Sequence, residues 1–362
     1  MIVTVCAFLI VLGVLVFFHE LGHFWMARRC GVHVNVFSIG FGKELFGWTD
    51  TKGTRWRISL VPLGGYVKML GDADISSSKA DPSIIQSLSE QDKQKTLDSK
   101  HPKDKIKVAL AGPLANLILA AVIFYIILVF KGLPILSSTI GHVDPNSIAY
   151  AQGLRDNDQI QSINEIDIKD FRDLQRVLPS LKGQTFDMVI KRNGEVLTLP
   201  IEFFKNVNGQ KVNIDVLGVS SKDLDFKKVN PLRSLGLSLE LVANHTKKML
   251  SDLPKIFMNK ENRKQIGSMF TIADVAGQTF SQGLWVFLQF MAIFSINLGV
   301  FNLLPVPMLD GGQIMINGIE WVIRRPLPEK IKIALLYTGV AVVVGVMMLG
   351  MFNDAMKYLF KK

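Results

Sequence analysis

Cysteine is nearly absent, with two among 362 residues. Cys6 and Cys30 fall near opposite ends of one apolar segment and cannot pair, so a disulfide framework and a cysteine-ligated zinc site are both excluded. Charge is missing from residues 2–18 altogether, which suits a bilayer rather than water. The same stretch lacks a basic leader and a small-residue cleavage site, so it is expected to stay in the chain as a span instead of leaving as a signal peptide. No internal repeat is evident. Acidic residues are the minority, 31 against 41 Lys and Arg, for a formal charge of +10. No nucleic-acid partner is expected from that excess, because most of it flanks apolar segments, where anionic lipid headgroups hold it.

What the chain has instead is apolar length. Its 49% hydrophobic content and mean hydropathy of +0.29 are those of a membrane protein. Four segments, 2–27, 108–130, 284–304 and 333–352, reach the roughly 20 residues needed to cross hydrocarbon. Lys and Arg crowd after the first (Arg28, Arg29), before the second (Lys103, Lys105, Lys107) and between the third and fourth (Arg324, Arg325, Lys330). Those flanks are expected to be cytoplasmic. Both termini and the region between the second and third spans then face outward, into the periplasm if the bilayer is a bacterial inner membrane.

In order, 1–70 holds the first span and a hairpin, 71–105 a polar cytoplasmic loop, 106–132 the second span and 133–206 a small soluble α+β domain. Residues 207–282 read as a linker strand and an amphipathic membrane-surface helix, 283–312 as the third span, and 313–362 as a cytoplasmic loop with the fourth. In the hairpin, Arg55, Arg57 and Ser59 alternate with Trp56, Ile58 and Leu60, which predicts strand, and Gly64 with Gly65 predicts a turn. Too short to cross, this stretch either re-enters the membrane beside a protein-lined site, where its edge can hold an extended substrate, or forms a plain cytoplasmic hairpin. Within the soluble domain, strands are predicted at 140–143, 158–163, 185–191 and 196–202, and helices at 147–152 and 171–178. Asn193-Gly194 supplies a two-residue hairpin turn. One more strand is expected at 212–219. Leu at helical spacing over 231–258 predicts a helix with His245, Lys247 and Lys248 on its polar face, while 267–283 lacks a clear period and reads as irregular.

The chemistry concentrates in FFHELGH at 17–23. His19 and His23 lie on one helical face about 6 Å apart along the axis, so both imidazoles reach a single metal ion. Glu20 occupies the position of the general base in HExxH metallopeptidases. Ionisable groups at hydrocarbon depth are costly unless they are partnered and functional. Catalytic zinc takes three protein ligands, and NLLPVPMLDGG at 302–312 offers Asp310 where Pro305 and Pro307 break the third span. Asn116, in AGPLAN near the start of the second span, either faces the metal site or packs helices. The remaining histidines, His33, His101, His142 and His245, read as solvated.

HELGH, PLGGYVKM at 62–69, AGPLAN at 111–116 and SINLGVFNLLPVPMLDGG at 295–312 together resemble the site-2 protease family of intramembrane zinc metallopeptidases, in its bacterial regulator-of-sigma-E form. The resemblance covers nearly the whole chain. It implies an α-helical polytopic membrane protein with four transmembrane helices, a re-entrant β-hairpin and an inserted periplasmic PDZ domain. It also implies Zn2+ held by His19, His23 and Asp310, with Glu20 as base and acid. Asn302 and Asn297 match asparagines that assist substrate or transition-state binding, and Gly64, Gly65 and Asn116 are candidates for substrate contact. The implied partners are the lipid bilayer, single-span membrane substrates such as anti-sigma factors or remnant signal peptides, and an initiating protease acting upstream. Residues 139–204 are similar to a single circularly permuted PDZ domain, with Glu165 where Gly is usual after Asn164 and Ile148 where Pro is common. Two other readings compete: a silent PDZ scaffold, which has no use for an intact ligand set, and a metal transporter, which has no need of Glu20.

Overall fold

The computed structural model describes residues 2–72, 82–207, 210–213, 217–221, 224–258, 263 and 267–359. The chain divides into two compact units, Met1–Ile127 with Leu232–Lys362, and Leu128–Pro231.

The first unit begins with α1 (Ile2–Arg29), apolar all round as a buried or lipid-covered helix must be. Strands β1 (Val34–Thr49) and β2 (Arg55–Met69) follow as an antiparallel pair with a doubled register. Val36 stands opposite both Lys68 and Arg55, and Ile39 opposite both Gly65 and Ile58, so this part of β1 is flanked on two sides by β2. Gly64 and Gly65 therefore lie within a strand rather than at a turn. Gly64 takes φ +142, with a missing Cβ whose place lies 2.5 Å from the Phe41 ring. Two short helices, α2 (Pro82–Ser87) and α3 (Glu90–Lys93), punctuate the stretch expected to be loop, whose residues 73–81 lie outside the described part. Then α4 (Pro102–Phe130) runs unbroken past Pro113. It starts six residues before the predicted span, since Pro102 at the first helical position costs no hydrogen bond.

The second unit contains β3 (Leu133–Leu136), β4 (Ile140–Val143), α5 (Ile148–Ala151), β5 (Gln159–Ile163), β6 (Ile166–Asp167), α6 (Phe171–Val177), β7 (Thr185–Arg192), β8 (Glu195–Glu202), β9 (Phe204–Val207), β10 (Gln210–Asn213), β11 (Val219–Ser221) and β12 (Leu224–Lys227). Its main sheet has the order β6-β5-β7-β8, and β4 pairs with β11. Inward positions of the strands, among them Ile160, Ile163, Met188, Ile190 and Ile201, form one core with Phe171 and Leu174 of α6. Asn193 and Gly194 both take positive φ, +49 and +94, as a hairpin turn of the expected kind requires. At the next turn Asn164, not Glu165, adopts the left-handed conformation (φ +50), so the missing glycine costs nothing there. The predicted strand at 212–219 resolves into the ends of β10 and β11, with 214–216 outside the described residues.

The first unit resumes with α7 (Pro231–Met258), α8 (Met269–Ser281), α9 (Leu284–Asn302), α10 (Asp310–Ile323) and α11 (Glu329–Leu359). Helix α8 replaces the irregular structure expected there. Its apolar residues do keep helical spacing, and its buried positions are the small residues Ala276 and Gly277, with Gly277 tight against Thr4 of α1. Ser268 caps its start, and Asp354 of α11 accepts from the Ser268 amide and hydroxyl and from Thr271. His245 is only partly solvated: it is half-buried, its ring lies 5.8 Å from Phe124 and its Nδ1 donates to the Leu241 carbonyl at 2.8 Å.

Four helices, Ile2–Arg29, Pro102–Phe130, Leu284–Asn302 and Glu329–Met356, are long and apolar enough to cross a membrane. Three of them build the core of the unit: Val11 and Leu15 of α1, Ala120 and Phe124 of α4, and Met291 and Ile296 of α9 are buried together. Ile10, Ile118, Val122 and Met348 remain exposed, the surface that lipid covers.

Candidate metal centre

Two helices approach at backbone distance to create the site. A Cβ on Gly22 of α1 would fall 2.3 Å from the Ala111 carbonyl oxygen of α4, and one on Gly112 would fall 2.2 Å from His23 Nε2. Small residues at this seam let the His23 ring lie flat on the α4 backbone. There His23 Nδ1 donates to the Val108 carbonyl at 2.8 Å, a main-chain oxygen that holds the ring in one orientation.

His19, one turn earlier on α1, sets its Nε2 3.2 Å from His23 Nε2. Asp310 joins them from the first turn of α10, where the helix dipole favours an anion. Its Oδ2 lies 3.2 Å from His19 Nε2 and its Oδ1 3.4 Å from His23 Nε2. The break expected around Pro305 and Pro307 is present, and it leaves Asp310 opening a new helix rather than closing the third span. Two imidazole nitrogens and a carboxylate oxygen, all within 4.8 Å of one another, match the donor set of catalytic zinc with three protein ligands. With neutral imidazoles such a centre keeps a net charge of +1.

Glu20 is not part of that triangle. Its carboxylate faces the main chain of Val67 in β2, and Gly65 approaches its Cγ so closely that a Cβ there would stand 3.3 Å away. No strand pairs with the outer edge of residues 65–69 among the described residues. Asn302, the last residue of α9, brings its amide within 3.5 Å of His19 Nε2. Asn116 is fully buried, and its amide lies 3.3 Å from His19 Nδ1, on the outer side of the ring. Asn297 is half-buried on α9, and no hydrogen bond joins it to the cluster among the described residues.

A cavity of about 620 Å³ opens from the cluster. Its wall includes Asp72 and Glu320, which sequence reasoning passed over, together with Lys105 and Lys332. Glu320 pairs with Lys332 at 2.7 Å and accepts from the Leu327 amide. Asp72 accepts from the Met69 amide at 2.8 Å, and burial pushes its carboxyl up to about 7. A carboxyl raised this way favours the folded state fully below the ordinary carboxylate range, and that contribution is lost as pH rises through about 7. Asp72→Asn is therefore expected to raise the unfolding temperature at pH 8 by roughly 3 °C or more while leaving it unchanged at pH 4. An equal shift at both pH values in a thermal-denaturation series would remove the titration of Asp72 as its cause.

An apolar spanning helix that supplies two histidines, an aspartate that meets them from the start of a separate helix, and a glutamate beside them outside the ligand set define a membrane zinc metalloprotease. The model of peptidase family M50 matches residues 7–346, and the chain belongs to that family, the site-2 protease family. It is 36% identical over 353 residues to a Campylobacter jejuni protein whose name assigns it as a zinc metalloprotease, covering 96% of this chain and 92% of that one. A Mesorhizobium japonicum protein so named is 32% identical over 359 residues, with 97% and 98% covered. The metalloprotease MmpA of Caulobacter vibrioides is 30% identical over 385 residues, with 98% and 96% covered.

Proposed function

We propose that this zinc metalloprotease is of the regulator-of-sigma-E type and hydrolyses peptide bonds within the membrane segments of single-span proteins. The observation that carries the reading is the meeting of His19 and His23, within the apolar helix α1, with Asp310 at the start of α10, and with Glu20 between that cluster and an open strand edge. Zinc, when bound, supplies Lewis-acid charge that lowers the pKa of water and polarises the scissile carbonyl. Glu20 takes the proton from the attacking water and returns it to the leaving amine. Asn302 donates from its amide to the developing oxyanion. The 65–69 edge of β2 receives the unwound substrate as an added strand, with Gly64 and Gly65 keeping the approach to Glu20 clear. Asn297 is assigned a substrate contact earlier on α9.

The unit Leu128–Pro231 is proposed to be the PDZ-like domain, facing the periplasm of the inner membrane, where it screens substrates already trimmed by an initiating protease. The positive flanks of the spans support that orientation. Anti-sigma factors and remnant signal peptides have the required single-span form.

The test is cleavage of a purified single-span substrate in detergent, with the cut sites located by mass spectrometry. Cuts are expected inside the apolar segment, and Gly65→Val is expected to slow them at least about tenfold at unchanged zinc content. Cuts confined to the soluble flanks would overturn the substrate assignment, and an unaltered rate in the variant would overturn the strand-addition step.

A further inference from the structure

We propose that Asn116 is a positioning residue for the zinc ligand His19: its amide oxygen accepts the Nδ1–H of the ring and fixes the tautomer that aims the Nε2 lone pair at the metal. The proposal rests on the zinc centre described above. His19 Nε2 is the inward nitrogen, 3.2 Å from both Asp310 Oδ2 and His23 Nε2. A neutral imidazole that offers Nε2 to a metal carries its proton on Nδ1, so Nδ1 needs an acceptor. His23 has one in the Val108 carbonyl. For His19 the partner is the Asn116 amide, 3.3 Å away.

Only one orientation of that amide works. With its nitrogen toward Nδ1, two donors meet, while the Asn116 Oδ1 is sealed from solvent without a partner among the described residues. The two ends of an amide have nearly the same shape, so a half-turn about the terminal bond exchanges them at no steric cost. The oxygen then accepts from Nδ1–H. The nitrogen takes the place the oxygen had, and the number of unpartnered atoms does not rise.

Asn116 is braced for this task. Ser295 of α9 donates to its main-chain carbonyl at 2.8 Å, and Gly299 packs so close that a Cβ there would stand 3.4 Å from the Asn116 Cβ. Helix α4 thus supplies the outer partner of both histidines, a carbonyl for His23 and a side-chain amide for His19.

Two variants separate acceptor from donor. Asn116→Leu keeps the approximate size and removes both functions, whereas Asn116→Asp keeps an acceptor and removes the donor. Zinc affinity of the purified full-length protein is read by competition with a chromophoric chelator in detergent. Asn116→Leu is expected to weaken zinc about 10–100-fold, the usual cost of losing an outer partner, and Asn116→Asp to stay within about threefold of the parent. Unchanged affinity in Asn116→Leu, or an Asn116→Asp protein as weak as Asn116→Leu, would overturn the proposal. Should Asn116→Leu not fold, Asn116→Asp decides alone: tight zinc supports the acceptor role and weak zinc refutes it. Failure of the zinc assignment is distinguishable, because the parent itself would then bind no zinc.

Discussion

Glu20→Gln is expected to stop cleavage of a membrane-spanning substrate while zinc remains bound. The three ligand atoms belong to His19, His23 and Asp310, so a neutral amide at position 20 removes no ligand. Gln has nearly the same volume, and its Cγ meets Gly65 at the same place, so the packing of α1 on β2 is kept. What disappears is the proton acceptor. General base catalysis by a positioned carboxylate contributes about 10²–10⁴-fold, and a fall in kcat/KM of about 10³ is the expected size. The measurement pairs metal content with initial rates on one preparation. A parental rate would exclude Glu20 as the base, and joint loss of zinc and activity would mean that Glu20 holds the metal site together.

The second large effect comes from a residue with no functional group. Gly112→Ala is expected to cost the protein its zinc. A Cβ at this position falls 2.2 Å from His23 Nε2 and 2.6 Å from its Cε1. The ring has no free retreat, because its Nδ1 is held by the Val108 carbonyl on the same helix. By helix propensity alone the substitution would stabilise α4 by about 1 kcal/mol, so a loss cannot come from the helix itself. Displacing a ligand nitrogen should weaken zinc by at least about 100-fold, more than loss of an outer partner does. Gly13→Ala on α1, where none of the described residues lies within 4 Å of the added carbon outside its own helix turn, is the control and should bind zinc as the parent does. Retention of zinc by Gly112→Ala within about threefold would show that the seam yields, and would remove the close approach as a condition for the site.

How much was legible beforehand depends on the range of the interaction. The pair His19 and His23 is set by helical spacing and could be read locally, as could the hairpin at Asn193-Gly194. Asp310 was reachable because a carboxylate beside two prolines at the end of an apolar run is chemically conspicuous. Its place at the start of α10 was not, since nothing local says where a broken helix restarts. Helix α8 carries a helical spacing of apolar residues that was legible in principle, but its scattered small residues, Ala276 and Gly277 among them, made it read as irregular. His245 was misjudged for a related reason: polar neighbours in sequence do not reveal that Phe124 lies across from it. The roles of Gly22 and Gly112 needed the inter-helix distance, which spacing along one chain does not encode. Asp72 looked like one more loop acid, and only its burial in the cavity wall sets it apart.

The doubled ladder between β1 and β2 ties sequence length to chemistry in this hairpin. Because residues 36–39 are gripped from both sides, removal of one of them would shift two seams together and turn the β1 side chains that follow it to the opposite face. Side chains here are open to exchange so long as the count of residues is conserved. Evolution of substrate preference in this segment is thereby channelled into replacements, with insertions and deletions left to the tip that joins the two strands.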